Sequence, residues 1–115
     1  MRLVTLKATN MELKDMIKIY LEKKFGPLEK FLQEFGAPHN LYVELAKTTK
    51  HHKTGPYFYA EADVVAPKAH LRAEATAEDL YAAIDILRDE IKRQILELKE
   101  KRRAKAKKEQ RNIRD

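Results

Sequence analysis

The chain has 115 residues, room for one domain of ordinary size, and contains no Cys and no Ser, which excludes disulfides, a thiolate zinc site and a Ser or Cys nucleophile. Hydrophobic residues make up 43%, enough to bury a core, while charged residues reach 37% against about 25% in ordinary domains, so the surface is densely ionic. The net charge of +6 is wholly terminal: residues 1–98 carry 15 basic and 15 acidic side chains, whereas residues 99–115 carry 9 basic against 3 acidic.

From the N-terminus, Arg2 to Ala8 alternates, with Val4, Leu6 and Ala8 on one side and Leu3, Thr5 and Lys7 on the other, which predicts a strand. Asn10 offers an N-cap with Glu12 in the first turn, and Leu13, Met16, Ile17, Tyr20, Leu28 and Phe31 follow at helical spacing. Pro27 has no amide to give to the carbonyl of Lys23, so Gly26-Pro27 predicts a kink or a restarted helix, and Gly36 with Pro38 closes the segment.

Leu41, Val43 and Leu45 mark a second strand. Phe58, Ala60, Ala62 and Val64 mark a third, and Leu71, Ala73 and Ala75 a fourth. Lys47 to Gly55 reads as a polar hairpin connection, and the chain turns at Ala66 to Ala69. Thr76 with Asp79 resembles a capping box, after which Leu80, Ile84, Leu87, Ile91, Ile95 and Leu98 form one apolar stripe. Good helix formers from Lys99 to Lys108 carry that helix on into solvent. The order β-α-β-β-β-α predicts an α+β two-layer sandwich: a four-stranded mixed sheet with both helices on one face, its first two strands parallel if adjacent. The expected organisation is one α+β domain over residues 1–98 and a basic helical extension over 99–115.

On a helical wheel, Tyr81, Arg88, Lys92, Lys99 and Arg103 fall within about 60° of one another, beside the apolar stripe, and Lys23 and Lys30 within about 20°. Two packed helices presenting such residues to one groove could track a phosphate backbone, because each cation that meets a phosphate releases counterions. A solvated face with local ion pairs, such as Glu97 with Lys101, explains the same pattern. His51 and His52 read as a loop pair, since adjacent residues point apart and no acidic or Cys ligand lies close in sequence; His39 and His70 read as surface or loop positions. Glu61, Asp63 and Glu74 fall on the outward face of the sheet, where salt links to Arg72 or Lys68 suit them better than acid–base chemistry. Tyr42, Tyr57 and Tyr59 share that face and suit either base stacking or cross-strand packing. The three glycines are too scattered for a phosphate-cradling loop, and no signal peptide or membrane-spanning run is visible. The expectation is a soluble cytoplasmic protein with no enzymatic activity, no cofactor and no metal, monomeric when free.

The segment Ala77-Glu78-Asp79-Leu80-Tyr81-Ala82-Ala83-Ile84-Asp85, followed by Arg93-Gln94, resembles the opening of the second helix in the ribosome hibernation promoting factor family, also called ribosome-associated inhibitors. Asn10-Met11-Glu12-Leu13, Lys24 and Leu28-Glu29-Lys30 are similar to that family too, and the likeness covers about residues 3 to 100. The resemblance implies a protein that occupies the messenger and transfer RNA channel of the small ribosomal subunit, meets ribosomal RNA and neighbouring ribosomal proteins there, and keeps idle ribosomes inactive under stress. By matching position it implies RNA contact for Lys24, Lys30 and Arg93, whereas Lys23, Tyr81, Arg88, Lys92, Lys99 and Arg103 rest on the wheel. Pro27 and Glu90 stand where Lys is frequent among relatives, which implies a weaker grip at those points and more from the tail. Two other readings compete. A double-stranded RNA-binding domain would place a Lys cluster where this chain has Glu78, Asp79 and Asp85; a protein-interaction module would offer the stripe of the second helix to a partner helix.

Overall fold

In a computed structural model, which describes residues 1–48 and 57–114, the alternating segments pair as β1 (Arg2–Thr9), β2 (Asn40–Thr48), β3 (Tyr57–Ala66) and β4 (Ala69–Ala77), in that spatial order. The strands β1 and β2 run parallel, because a helical crossover joins them, and the remaining pairs are antiparallel. The crossover holds α1 (Asp15–Phe25), a 3-10 helix (Gly26–Phe31) and a shorter one (Gln33–Phe35). The last element, α2 (Leu80–Arg114), has 35 residues. This is the expected mixed-sheet sandwich.

One face of the sheet is buried by Leu41, Val43 and Leu45 of β2, Ala60, Ala62 and Val64 of β3, and Leu71, Ala73 and Ala75 of β4. Ala60 pairs with Ala75 and Ala62 with Ala73, so the floor under α2 is made of methyl groups. Large side chains then fill the space from above: Leu80, Ile84, Leu87, Ile91 and Ile95 are all buried, and α2 lies on β3 and β4. Small residues below and branched residues above reach interior packing density without strain. From the crossover, Ile17, Leu21, Phe25, Leu28, Leu32 and Phe35 close the rest of the core.

Five expectations are corrected. In β1 the register shifts between Leu3 and Thr5, a bulge that turns Val4 outward at 44% exposure and leaves Leu3 and Leu6 packed on the core. Helix α1 begins at Asp15 rather than beside Asn10, which takes a left-handed conformation (φ 58°), and its buried stripe runs through Ile17, Leu21 and Phe25 while Leu13 and Met16 face solvent. That phase wins because it continues into Leu28, Leu32 and Phe35. The cap of α2 is Asp79 itself, whose carboxylate accepts the Ala82 N–H at 3.2 Å. His39 is buried, its Nδ1 3.6 Å from Glu29 and its Nε2 without a hydrogen-bond partner among the described residues. Lys47, read as the start of the connection, and Thr48 belong to β2, while His51 and His52 lie outside the described residues with the rest of 49–56.

Gly26-Pro27 changes the crossover from α to 3-10 geometry, as the missing amide dictates. Beyond Leu98 the stripe of α2 ends, residues 101–110 are exposed, and the helix projects along the long axis of a molecule 63 Å in extent. Ile91→Ala should therefore cost about 2–5 kcal/mol of unfolding free energy, while deletion of residues 104–115 should change it by less than about 0.5 kcal/mol. Urea melts of the two variants check both, and a large loss on truncation would show that the projection packs.

Candidate nucleic-acid interface

Because the apolar stripe of α2 is spent on the sheet, the side chains flanking it meet the end of α1 and the first 3-10 helix along one seam. At one end lies a cleft of about 370 Å³ lined by Lys23, Lys24, Pro27, Asp85, Arg88 and Asp89. Lys24 Nζ stands 3.4 Å from Asp85 Oδ1, and the Tyr20 hydroxyl donates to the same oxygen at 2.6 Å. The Asp85 carboxylate raises the Lys24 ammonium above its ordinary value, with Tyr20 reinforcing it, so this lysine is charged at neutral pH. Tyr81 meets Tyr20 edge to face, ring centroids 4.8 Å apart, and closes that end with apolar surface. Arg88 donates to Asp89 at 2.9 Å.

Farther along, three lysines gather on one ring. The Nζ atoms of Lys30, Lys92 and Lys99 lie 5.1, 5.6 and 5.5 Å from the centroid of Phe31. Lys92 and Lys99 reach it because they are two turns apart on the same side of α2; Lys30 reaches it as a sequence neighbour. Lys99 also approaches Glu34 at 3.5 Å. Beyond it, Arg102 donates to the Glu34 carbonyl at 3.2 Å and lies 5.0 Å from the Phe35 ring, while Arg103 is exposed at the start of the projection.

Seven of the expected residues thus line the seam (Lys23, Lys24, Lys30, Tyr81, Arg88, Lys92 and Lys99), and Arg103 follows on the projection. Arg93 does not join them. It bonds Glu90 and, at 2.5 Å, Glu97, while the neighbouring Gln94 donates to the Arg72 carbonyl of β4 at 2.9 Å, which marks the opposite flank of α2. Glu90 and Glu97 hold the guanidinium well above its ordinary range, and hydrogen bonds from Arg93 and then Gln94 bring the Glu90 carboxyl down to about 2. Glu97 pairs with Arg93, not with Lys101 as its spacing suggested. The sequence pattern assigns Tyr20 and Phe31 to the apolar face of the first helix and gives no role to Glu34 or Arg102; the one available signal was a lysine next to an aromatic residue, opposite lysines seven apart.

The outward sheet face has another character. Arg72 bridges Glu61, Asp63 at 2.9 Å and Glu74 at 3.3 Å, and His70 meets Asp63 at 3.0 Å. The Tyr59 hydroxyl donates to Glu61 at 2.9 Å, and burial followed by that bond pushes its ionisation far up. A carboxylate-rich surface of this kind repels a phosphate backbone. Nor is the stripe of α2 free for a partner helix, since Leu80, Ile84, Leu87 and Ile91 are core.

Comparison with known proteins gives a consistent result. Residues 4–103 match the family model described as Sigma 54 modulation protein / S30EA ribosomal protein. The chain is 32% identical over 94 residues to a ribosome hibernation promotion factor of Lactococcus lactis, covering 82% of this chain and 48% of that protein. It is 30% identical over 99 residues to one of Picosynechococcus, covering 84% and 48%. The chain therefore spans about half the length of the curated relatives it matches. Among solved structures it is similar to the N-terminal domain of Thermus thermophilus Protein Y, with TM-score 0.71 and 30% identity over 83% of this chain and 96% of that one. A ribosomal subunit interface protein from Coxiella burnetii shares the fold, with TM-score 0.64 and 17% identity over 86% and 98%.

The Arg93 pairing makes a titration test. A carboxyl whose folded pKa is depressed adds stability above its ordinary value near 4.5 and loses that contribution as pH falls toward about 2. The Glu90 carboxyl carbon, followed by NMR, should titrate near 2 and move toward 4.5 in Arg93→Ala. A wild-type midpoint already near 4.5 would mean that Arg93 is not held as described.

Proposed function

Because the chain belongs to the Sigma 54 modulation protein / S30EA ribosomal protein family, we propose that it is a ribosome hibernation factor whose seam binds ribosomal RNA of the small subunit in the channel used by messenger and transfer RNA. The observation that carries this reading is the gathering of cations from two chain segments along one seam, three at the cleft and three on the Phe31 ring. Lys23, Lys24 and Lys30 come from the crossover, and Arg88, Lys92 and Lys99 from α2, with three carboxylates (Glu34, Asp85 and Asp89) among them. The seam therefore keeps a net positive charge although residues 1–98 together are neutral.

The mechanism needs no bond to be made or broken, and hence no cofactor. Cations on the seam displace counterions from the RNA backbone, and the occupied channel is closed to its usual ligands. Ion pairs such as Lys99 with Glu34 are partly exposed and worth at most about 1 kcal/mol each, so phosphates can replace the carboxylates. The basic extension over residues 99–115 adds long-range attraction through its net charge of +6. A factor that acts on idle ribosomes in this way works in the cytoplasm and is a monomer when free.

Added to a cell-free translation system, the protein should lower protein synthesis, and in sucrose gradients it should travel with small subunits; free migration at low salt together with undiminished synthesis would refute the reading. Within the seam, Lys92→Ala should lower the slope of log K against log salt by about one, whereas Arg93→Ala, already neutralised by two carboxylates, should change it by less than about half as much. Filter binding to purified small subunits across a salt series measures both, and equal effects would contradict the separation of the two flanks.

A further inference from the structure

We infer that Phe31 is the positioning residue of a three-lysine phosphate clamp, its ring holding Lys30, Lys92 and Lys99 together so that they meet the RNA backbone as one preorganised site. The inference deepens the ribosomal RNA reading and rests on it for the identity of the ligand. Three ammonium groups within 6 Å of one point repel each other, and something must offset that repulsion. Elsewhere in the molecule cations are held by carboxylates: Arg72 meets Glu61, Asp63 and Glu74, and Arg93 meets Glu90 and Glu97. A carboxylate, however, cancels the charge that it holds. The negative face of an aromatic ring attracts cations without neutralising them, so lysines gathered on Phe31 keep their charge for a ligand.

The placement of Phe31 suits this task. It ends the 3-10 helix opposite α2, half-buried on the core, so the ring is fixed from below while its surroundings remain open to the seam. Of the three lysines, Lys99 has Glu34 within reach; no carboxylate pairs with Lys30 or Lys92 among the described residues. A flexible lysine ordinarily loses much side-chain freedom when it meets a phosphate, and a ring that already gathers three of them removes part of that loss before binding.

The test compares Phe31→Leu, which keeps an apolar side chain on the core, with Phe31→Tyr, which keeps the ring, in the full chain. Three readouts are needed: thermal midpoint, NMR shifts of the lysine ε-methylenes during titration with inorganic tripolyphosphate, and affinity for purified small subunits. With the fold intact, Phe31→Leu should move the ε-methylene signals of all three lysines toward free-lysine positions and weaken their response to tripolyphosphate. It should also reduce small-subunit affinity about tenfold, because three lysine side chains must then be ordered on binding, while Phe31→Tyr stays near wild type. Unaltered lysine shifts or wild-type affinity in a folded Phe31→Leu would overturn the inference. If Phe31→Leu does not fold, Phe31→Tyr decides: wild-type lysine shifts that respond jointly to tripolyphosphate support the clamp, and shifts that do not respond overturn it. Should the wild-type protein bind tripolyphosphate through these lysines yet ignore small subunits, the ribosomal reading fails and the clamp stands.

Discussion

Which side of α2 meets the sheet decides where every other side chain of that helix points. The contact is between bulky residues above, Ile84, Leu87 and Ile91, and the methyl floor of Ala60, Ala62, Ala73 and Ala75 below. Because the helix is wedged into that floor, its rotation about its own axis is fixed, and the positions beside the stripe are committed to two different flanks. Lys92 and Lys99 turn toward the crossover, whereas Glu90, Arg93 and Gln94 turn toward β4. A rotation of α2 by one residue would exchange these roles, at the cost of burying charge.

The same wedge explains how a charge-neutral body acquires a polarised surface. Cations collect where the crossover and α2 run side by side, and carboxylates collect on the open sheet face, where Arg72 partly balances them. Nothing deep in the core takes part: among the described residues the only buried polar side chain is His39, which belongs to neither array. The seam is thus a property of surface residues held by a rigid apolar interior, which suits binding of a large, preformed polyanion better than turnover of a small molecule.

Much of this was legible in the chain itself. The strands β2, β3 and β4 and the stripe of α2 follow clean periods of 2 and 3.6, and those periods survive folding because each element has one buried face. Where a local choice depends on a distant partner, the pattern misleads. The bulge at Val4 is set by pairing with β2, the phase of α1 by the burial of Leu28, Leu32 and Phe35 beyond its end, and the burial of His39 by the turn that carries it under Glu29. Phe31 is the clearest case along the seam: its apolar spacing marks it as core, and only tertiary packing brings Lys92 and Lys99 of α2 to its ring. The wheel placed Arg88, Lys92 and Lys99 along the line that faces the crossover; Arg93 entered through the resemblance, about 100° away on the wheel, and Glu90 and Glu97 hold it on the other flank.

The central claim is that one flank of α2 and the facing crossover form the surface that docks on ribosomal RNA. Amine-reactive footprinting of the full chain, alone and with purified small subunits, tests it most directly, because every lysine reports its own cover. The account predicts protection of Lys23, Lys30, Lys92 and Lys99 in the complex, while Lys7, exposed beside Glu44 on the open sheet face, stays as reactive as in the free protein. Protection of Lys7 with Lys23, Lys30, Lys92 and Lys99 still reactive would contradict it.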